Sequence, residues 1–281
     1  MKGMVADTNS KWTNRYEQDG YVIVPNVLDQ DLMAEARGHV DWLMTKNPDL
    51  RPEELGHFLT TKDAFWIRLV SDDRLLDVAE QFLGPDLGLF ASHYIAKRPN
   101  DGKAVPWHQD GSYWPLEPMN VITFWLALDK CDEDNGCMKV MPGTQNKKLM
   151  SKEDYVEQDE EQLFDIAMDP STIDESDAVN IELNPGDIEI HHPNIIHGSH
   201  ANTSPRWRRG LTIRYIPTST RITDDKPHPA AFIFRGKGYA NGNGWNPLPL
   251  YNAETSVAFS DQAKWDEKAQ AKNEHYANFL K

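Results

Sequence analysis

A chain of 281 residues with 39% hydrophobic residues and nine tryptophans holds enough apolar side chain for a packed core, which excludes global disorder. Its 29 Lys and Arg stand against 44 Asp and Glu, a formal charge of −15 that repels phosphate backbones and anionic membranes, so a small-molecule partner is expected rather than nucleic acid or membrane. Two cysteines (Cys131 and Cys137) are too few for a disulfide framework, no run approaches the ~18 apolar residues of a spanning helix, and the opening MKGMVADTNSKW has no apolar leader, which together give the expectation of a cytoplasmic protein.

Residues 1–10 are polar and read as frayed, and Trp12 to Gln18 reads as one or two helical turns broken by Asp19-Gly20. YVIVPNVL follows as a short strand. Asp29 then caps a helix expected through about Thr45, in which Leu32, Ala36, Val40 and Leu43 recur at helical spacing, with Pro48 and Pro52 beyond it. A second helix is expected from Asp73 to Leu83, ended by Gly84-Pro85. From Leu87 the texture changes to short segments rich in β-branched and aromatic residues: LGLFASHYIAKR, VITFWLALDKC, GCMKVMPG, GDIEIHH, NIIHGSH and RGLTIRYIP. Turn signals such as Asn135-Gly136 and Pro185-Gly186 separate them, a pattern that predicts a mainly β sandwich or barrel. The acidic stretch 147–177 reads as a solvated surface loop or short helix, residues 219–250 as a long loop or lid, and 260–281 as a terminal amphipathic helix. No repeat or low-complexity linker divides the chain. It reads as one domain, with N-terminal helical support over about 10–85, a β core over about 87–217 and a C-terminal loop and helix over about 218–281.

Chemistry concentrates at Trp107-His108-Gln109-Asp110. In a strand, residues two apart share a face, so His108 and Asp110 can converge on one metal. A third ligand must come from the histidine-rich stretch His191, His192, His197 and His200. Two imidazoles and one carboxylate on one side of an octahedron leave three positions open, the facial triad of non-haem Fe(II) oxygenases. H-x-D alone is a weak signal. Its company is stronger: a Pro-Gly-Asp turn, a strand, His197-Gly198-Ser199, then Arg208 eleven residues after His197, a guanidinium able to grip the far carboxylate of 2-oxoglutarate. Arg206, Arg209 and Arg214 crowd the same region, and on one strand Arg208, Thr212 and Arg214 share a face. Arg214 either pairs with an acidic neighbour or meets an anionic substrate group.

The stretch HQDGSYWPLEP…VITFWLALD…DNGCMKVMPGTQ, with LNPGDIEIHHPNIIHGSHANTSPRWRRGL, resembles the phytanoyl-CoA dioxygenase family of Fe(II)/2-oxoglutarate-dependent oxygenases, strongly over about 84–217. The resemblance implies a double-stranded β-helix (a cupin-like jelly roll) with helices outside, Fe(II) held by His108, Asp110 and His197, and 2-oxoglutarate and O2 as co-substrates. It implies Arg208 for the far carboxylate of 2-oxoglutarate, and Gln109, Trp125, Ser199 and His93 around the co-substrate. His192 is expected to pack, and His200 is the rival to His197. Tyr113, Trp114, Asn194 and Arg214 are candidate substrate contacts. With Asp110 present, hydroxylation of a C–H bond in a small polar metabolite or natural-product intermediate is expected over halogenation, with succinate and CO2 released. Two other classes remain: a metal-dependent cupin-like hydrolase or isomerase, which leaves Arg208 without a purpose, and a non-catalytic ligand-binding member, for which lost ligands would be the sign.

Overall fold

The computed structural model describes residues 2–56, 60–224 and 228–280. The N-terminal quarter is helical: α1 (Lys2–Asp19), the short strand β1 (Tyr21–Val24), then α2 (Gln30–Lys46), α3 (Ala64–Val70) and α4 (Asp73–Leu83). Aspartates start three of these helices. Asp29, Asp63 and Asp72 each accept backbone N–H bonds from the first turn of α2, α3 and α4, satisfying donors that have no partner inside the helix. α1 extends through residues expected to be frayed. Sequence reasoning missed α3 because AFWIRLV is apolar nearly all round and buried, so it shows no amphipathic period.

Strands follow: β2 (Leu87–Tyr94), β3 (Val105–His108), β4 (Leu116–Glu117), β5 (Ile122–Ala127), β6 (Lys139–Met141), β7 (Val156–Glu157), β8 (Ile166–Ala167) and β9 (Val179–Asn180). β10 (Ile188–His191), β11 (Ile196–Ser199), β12 (Gly210–Pro217), β13 (Arg221–Ile222) and β14 (Phe232–Arg235) precede the last helix, α5 (Gln262–His275). They build a six-stranded antiparallel sheet in the order β1-β10-β5-β12-β2-β14 and a four-stranded one in the order β3-β11-β6-β9, with ribbons β13-β4 and β7-β8. The result is a mixed α/β fold of antiparallel sheets with flanking helices.

Alternation along the large sheet decides where chemistry can sit. Phe124 and Leu126 of β5, Ile188 and Ile190 of β10, and Leu211, Ile213 and Tyr215 of β12 join one core cluster with α2, α3 and α4. Their neighbours Thr123 and Trp125, Glu189 and His191, and Thr212 and Arg214 therefore point to the opposite face. That face is also covered, as the fully buried pattern of all three strands shows. Polar side chains on a covered face must find partners or ligands. Residues 219–250, expected as loop or lid, contain β14 at the sheet edge and the buried Phe232, Phe234 and Trp245, so part of the segment is core; residues 225–227 lie outside the described residues.

Gly210 shows how tightly this face is packed. A Cβ there would lie 2.1 Å from Cζ2 of Trp125, whose indole crosses the glycine. Gly210→Ala is expected to destabilise the fold by about 1–3 kcal/mol through overpacking. A denaturation midpoint equal to that of the unaltered chain would show that Trp125 moves aside freely.

Candidate metal centre and its two cavities

The four-stranded sheet brings both candidate imidazoles together, since β3 and β11 pair with His108 opposite His197. Their ring centroids are 4.1 Å apart. Nδ1 of His108 donates to the Pro106 carbonyl at 2.8 Å, and Nδ1 of His197 donates to the Ile195 carbonyl at 3.1 Å. Because a carbonyl only accepts, each Nδ1 carries the proton and each Nε2 offers its lone pair to a metal. Burial, then the neighbouring His108 and His191, hold His197 well below the ordinary histidine range, which favours the neutral, ligating form.

Asp110 completes the set, with the candidate ligand atoms of His108, Asp110 and His197 all within 4.8 Å of one another and all three residues buried. It does not get there by strand parity. β3 ends at His108, and Asp110 opens a 3-10 turn over Asp110–Tyr113, so the turn, not the pleat, swings the carboxylate to within 3.6 Å of His108 Nε2. Opposite lies one residue from each of three adjacent strands. The register aligns His191 with Thr123 and Thr123 with Arg214. Thr123 Oγ1 donates to Asp110 Oδ2 at 3.2 Å, His191 Nε2 is 3.6 Å from the same oxygen, and Arg214 Nη2 is 3.5 Å from Oδ1. Burial alone would raise the Asp110 carboxyl, but Arg214, His108 and His191 outweigh it and hold it well below the usual carboxylate range. The carboxylate is therefore ionised and ready to ligate.

In an unbroken strand His191 would share parity with His197, but Pro193 interrupts that register. The residue lies at the end of β10, before that break, with its ring 4.6 Å from His197. Its Nδ1 donates to the buried Glu189 at 2.8 Å. Burial pulls its pKa down, yet Glu189 and Asp110 win and push it up to about 9, so the ring is an imidazolium at neutral pH. A cation there orients Asp110 rather than binding metal. His191→Phe is expected to weaken Fe(II) affinity about tenfold in an anaerobic titration, the effect typical of losing a group that holds a ligand in place. Affinity unchanged within twofold would reduce the pair to packing.

Two cavities meet at this centre. The inner one is lined by His108, Asp110, His191 and His197 together with Trp125, Ser199, Thr212 and Arg208. Arg208 is buried, its guanidinium stacked 4.3 Å over Trp125, and its Nε and Nη1 have no hydrogen-bond partner among the described residues. Beside it is a group that the sequence reading missed: Lys97, fully buried, bridged to Arg208 through both backbone hydrogen bonds, with Nζ 2.7 Å from Ser199 Oγ. Burial, then Arg208, lowers the Lys97 pKa well below the ordinary lysine value, and burial lowers that of Arg208. Among the described residues neither forms an ion pair with a carboxylate.

The outer cavity, of about 600 Å³, is lined by His93, Tyr113, Trp114, Phe164, Arg214 and Asp165, among others. Its volume suits a small-molecule ligand. His93, expected beside the co-substrate, lies on this outer side, its Nδ1 accepting from Arg214 at 3.1 Å. Gln109 and Asn194 line neither cavity. Both ends of the Gln109 amide are taken by backbone, donating to Asn194 O at 2.7 Å and accepting from Met150 N at 2.9 Å, so the residue fastens the metal-binding turn to the acidic segment. Asn194 packs with its Oδ1 against Gly111. His192 accepts from the Asn194 N–H, and His200 is exposed beside Glu175, so neither competes with His197.

The largest correction concerns 147–177. The segment is not merely a solvated surface: Leu163, Phe164, Asp165 and Ile166 wall the outer cavity, and the Phe164 ring stands edge-on 4.8 Å from His108. The signal available was the apolar content of Leu163, Phe164, Ile166 and Met168 inside an acidic run.

Comparison with known proteins follows the same line. The family model for phytanoyl-CoA dioxygenase matches residues 16–210. The peroxisomal phytanoyl-CoA dioxygenase of Bos taurus is 31% identical over 235 residues, 74% of this chain and 68% of that protein. That of Rattus norvegicus is 26% identical over 227 residues, 71% of this chain and 66% of its own length, so the chain spans about two thirds of these relatives. The non-haem monooxygenase ThoJ, in its apo form, shares the fold at a TM-score of 0.68 with 19% identity, over 94% of this chain and 96% of its own. His108, Asp110 and His197 thus form a facial triad of the non-haem Fe(II)/2-oxoglutarate oxygenase type. The expected cytoplasmic location is overturned by the same relatives, which are peroxisomal. Sparse cysteines do not separate the cytoplasm from the peroxisome, because peroxisomal import reads a short receptor-bound address and needs no apolar segment. Among the described residues no helix is long and apolar enough to cross a membrane.

Proposed function

This chain belongs to the phytanoyl-CoA dioxygenase family, and from that premise we propose that it hydroxylates an unactivated C–H bond of a small polar metabolite or natural-product intermediate, releasing succinate and CO2. The observation that carries the reading is the joining of the triad, through one inner cavity, to a buried Arg208 with unpartnered N–H groups. The donor set fits Fe(II): two neutral imidazole nitrogens and one ionised carboxylate, with room for a bidentate co-substrate. Bound Fe(II) with 2-oxoglutarate and O2 supplies an oxidant strong enough for such a C–H bond.

The protein's part is orientation and exclusion of water. His108, Asp110 and His197 hold the metal, with the imidazole tautomers fixed by the Pro106 and Ile195 carbonyls. Arg208, with Ser199 and Lys97, receives the far carboxylate of 2-oxoglutarate, a buried cradle in which charge-assisted bonds are strong. Trp125 keeps the guanidinium plane fixed by stacking. Tyr113, Trp114, Phe164 and Arg214 face the substrate from the outer cavity. The six- and four-stranded sheets, in this reading, are the two halves of a double-stranded β-helix, with the whole chain one catalytic unit and Asp224 and His228 part of a wall over the substrate. A zinc hydrolase would give the unpartnered Arg208 nothing to bind.

The test is succinate formation from 2-oxoglutarate in air, with Fe(II) added or chelated, with and without a metabolite library. Fe(II)-dependent succinate that rises with a library member supports the reading. No succinate under any of these conditions overturns it.

A further inference from the structure

Arg214 stands where the two cavities join. With Asp110 and Phe164 it lines both. Its guanidinium stacks 5.0 Å from the Trp114 ring, and one edge is tied by Nη1 to Thr212 Oγ1 at 2.9 Å and to His93 Nδ1 at 3.1 Å. The buried Nε has no hydrogen-bond partner among the described residues. The only ion pair that Arg214 makes among the described residues is with Asp110, at 3.5 Å. That carboxylate is a ligand in the facial triad, and a dication bound to it neutralises the charge on which Arg214 depends. A desolvated guanidinium left without a counter-charge is costly, and an anionic partner in the adjoining cavity removes the penalty.

We propose that the substrate carries a carboxylate, that Arg214 binds it at the mouth of the inner cavity, and that the carbon oxidised lies within a few bonds of that group. The proposal rests on the oxygenase reading above and adds to it the class of substrate. Phe90, Trp114 and Phe164 give the outer cavity aromatic walls for an apolar body. Asp165 and Asp224 line the same cavity and repel a carboxylate, which orients the anionic end toward Arg214 and away from them. His93 contributes to this end. Arginine only donates, so His93 Nδ1 is the acceptor and holds one edge of the guanidinium in place.

2-Oxoglutarate is itself a dicarboxylate, so the test is made with its site filled. Anaerobic protein loaded with Fe(II) and saturating 2-oxoglutarate is titrated calorimetrically with benzoate and phenylacetate, and with benzamide and phenylacetamide, which match them in shape without the charge. The expected result is one acid bound per chain, at least tenfold tighter than its amide, with the preference lost in Arg214→Gln and partly kept in Arg214→Lys. Acids and amides that bind alike, acids that bind only when 2-oxoglutarate is withheld, or no binding by either would overturn the proposal. Binding of 2-oxoglutarate is measured in the same preparation. Its failure removes the oxygenase reading as well, whereas its success with no acid preference removes this proposal alone.

Discussion

Asp110→Ala is expected to lower Fe(II)-dependent succinate release by roughly 10³-fold, equivalent to about 4 kcal/mol of activation free energy. Two effects act together. The triad loses its only anionic ligand, and two imidazoles alone bind Fe(II) weakly. The three groups converging on the carboxylate lose their common partner at the same time: the Thr123 hydroxyl, the His191 ring, which keeps Glu189, and the Arg214 guanidinium, which is left with no carboxylate among the described residues. Removing one member of such a set typically costs 3–5 kcal/mol of stability. Asp110→Ala is therefore also expected to melt well below the unaltered chain in the metal-free state. Asp110→Asn separates the effects, since it keeps the shape and the Thr123 contact but not the charge. It should fold better than the alanine variant and remain nearly as inactive. Retention of more than a tenth of the activity by either variant would remove Asp110 from the ligand set.

What the sequence made legible was whatever repeats locally. Asp29 and Asp73 mark the starts of helices that run as expected to within a residue or two, because capping and apolar spacing act over a single turn. The six β-branched segments each produce a strand. His197 is preferred over His200 because His-Gly-Ser with an arginine eleven residues after the histidine is the pattern of the resembled family, and the structure puts His200 on the surface. The missing parts depend on what stands opposite in space. Lys97 gave no sign of its burial, because only the bridge to Arg208 brings it inside. Strand parity with Pro193 following leaves His191 without a role until β5 and β12 are laid beside β10, when the row His191–Thr123–Arg214 appears. Gln109 and Asn194 neighbour the ligands in sequence and yet line neither cavity, since backbone groups take both ends of the Gln109 amide and Asn194 packs against Gly111. The acidic stretch shows the same limit from the other direction: net charge describes its outer face, whereas Phe164 and Leu163 describe the inner one.

Arg208→Ala is the second large effect expected, and it separates co-substrate binding from metal binding. The residue lines the inner cavity, and among the described residues its Nε and Nη1 are unpartnered and the neighbouring Lys97 pairs with no carboxylate. The desolvated guanidinium has no ion-pair partner among the described residues, so an anion bound in the cavity relieves the cost of its burial. Removing the guanidinium should raise the half-saturating concentration of 2-oxoglutarate at least 30-fold, about 2 kcal/mol, the lower end for truncating one partner of a buried charge-assisted pair. Arg208→Lys should recover only part of the loss, because an ammonium cannot make the two parallel bonds of a guanidinium and cannot lie flat on Trp125. Lys97→Met should act in the same direction but less, since burial already disfavours its charged form and its Ser199 bond is to a neutral group. Fe(II) affinity measured without 2-oxoglutarate should change by less than threefold in all three variants, because none of these side chains touches the triad. An unaltered 2-oxoglutarate requirement in Arg208→Ala would mean that the co-substrate anchors elsewhere in the inner cavity, whose wall also carries Arg214.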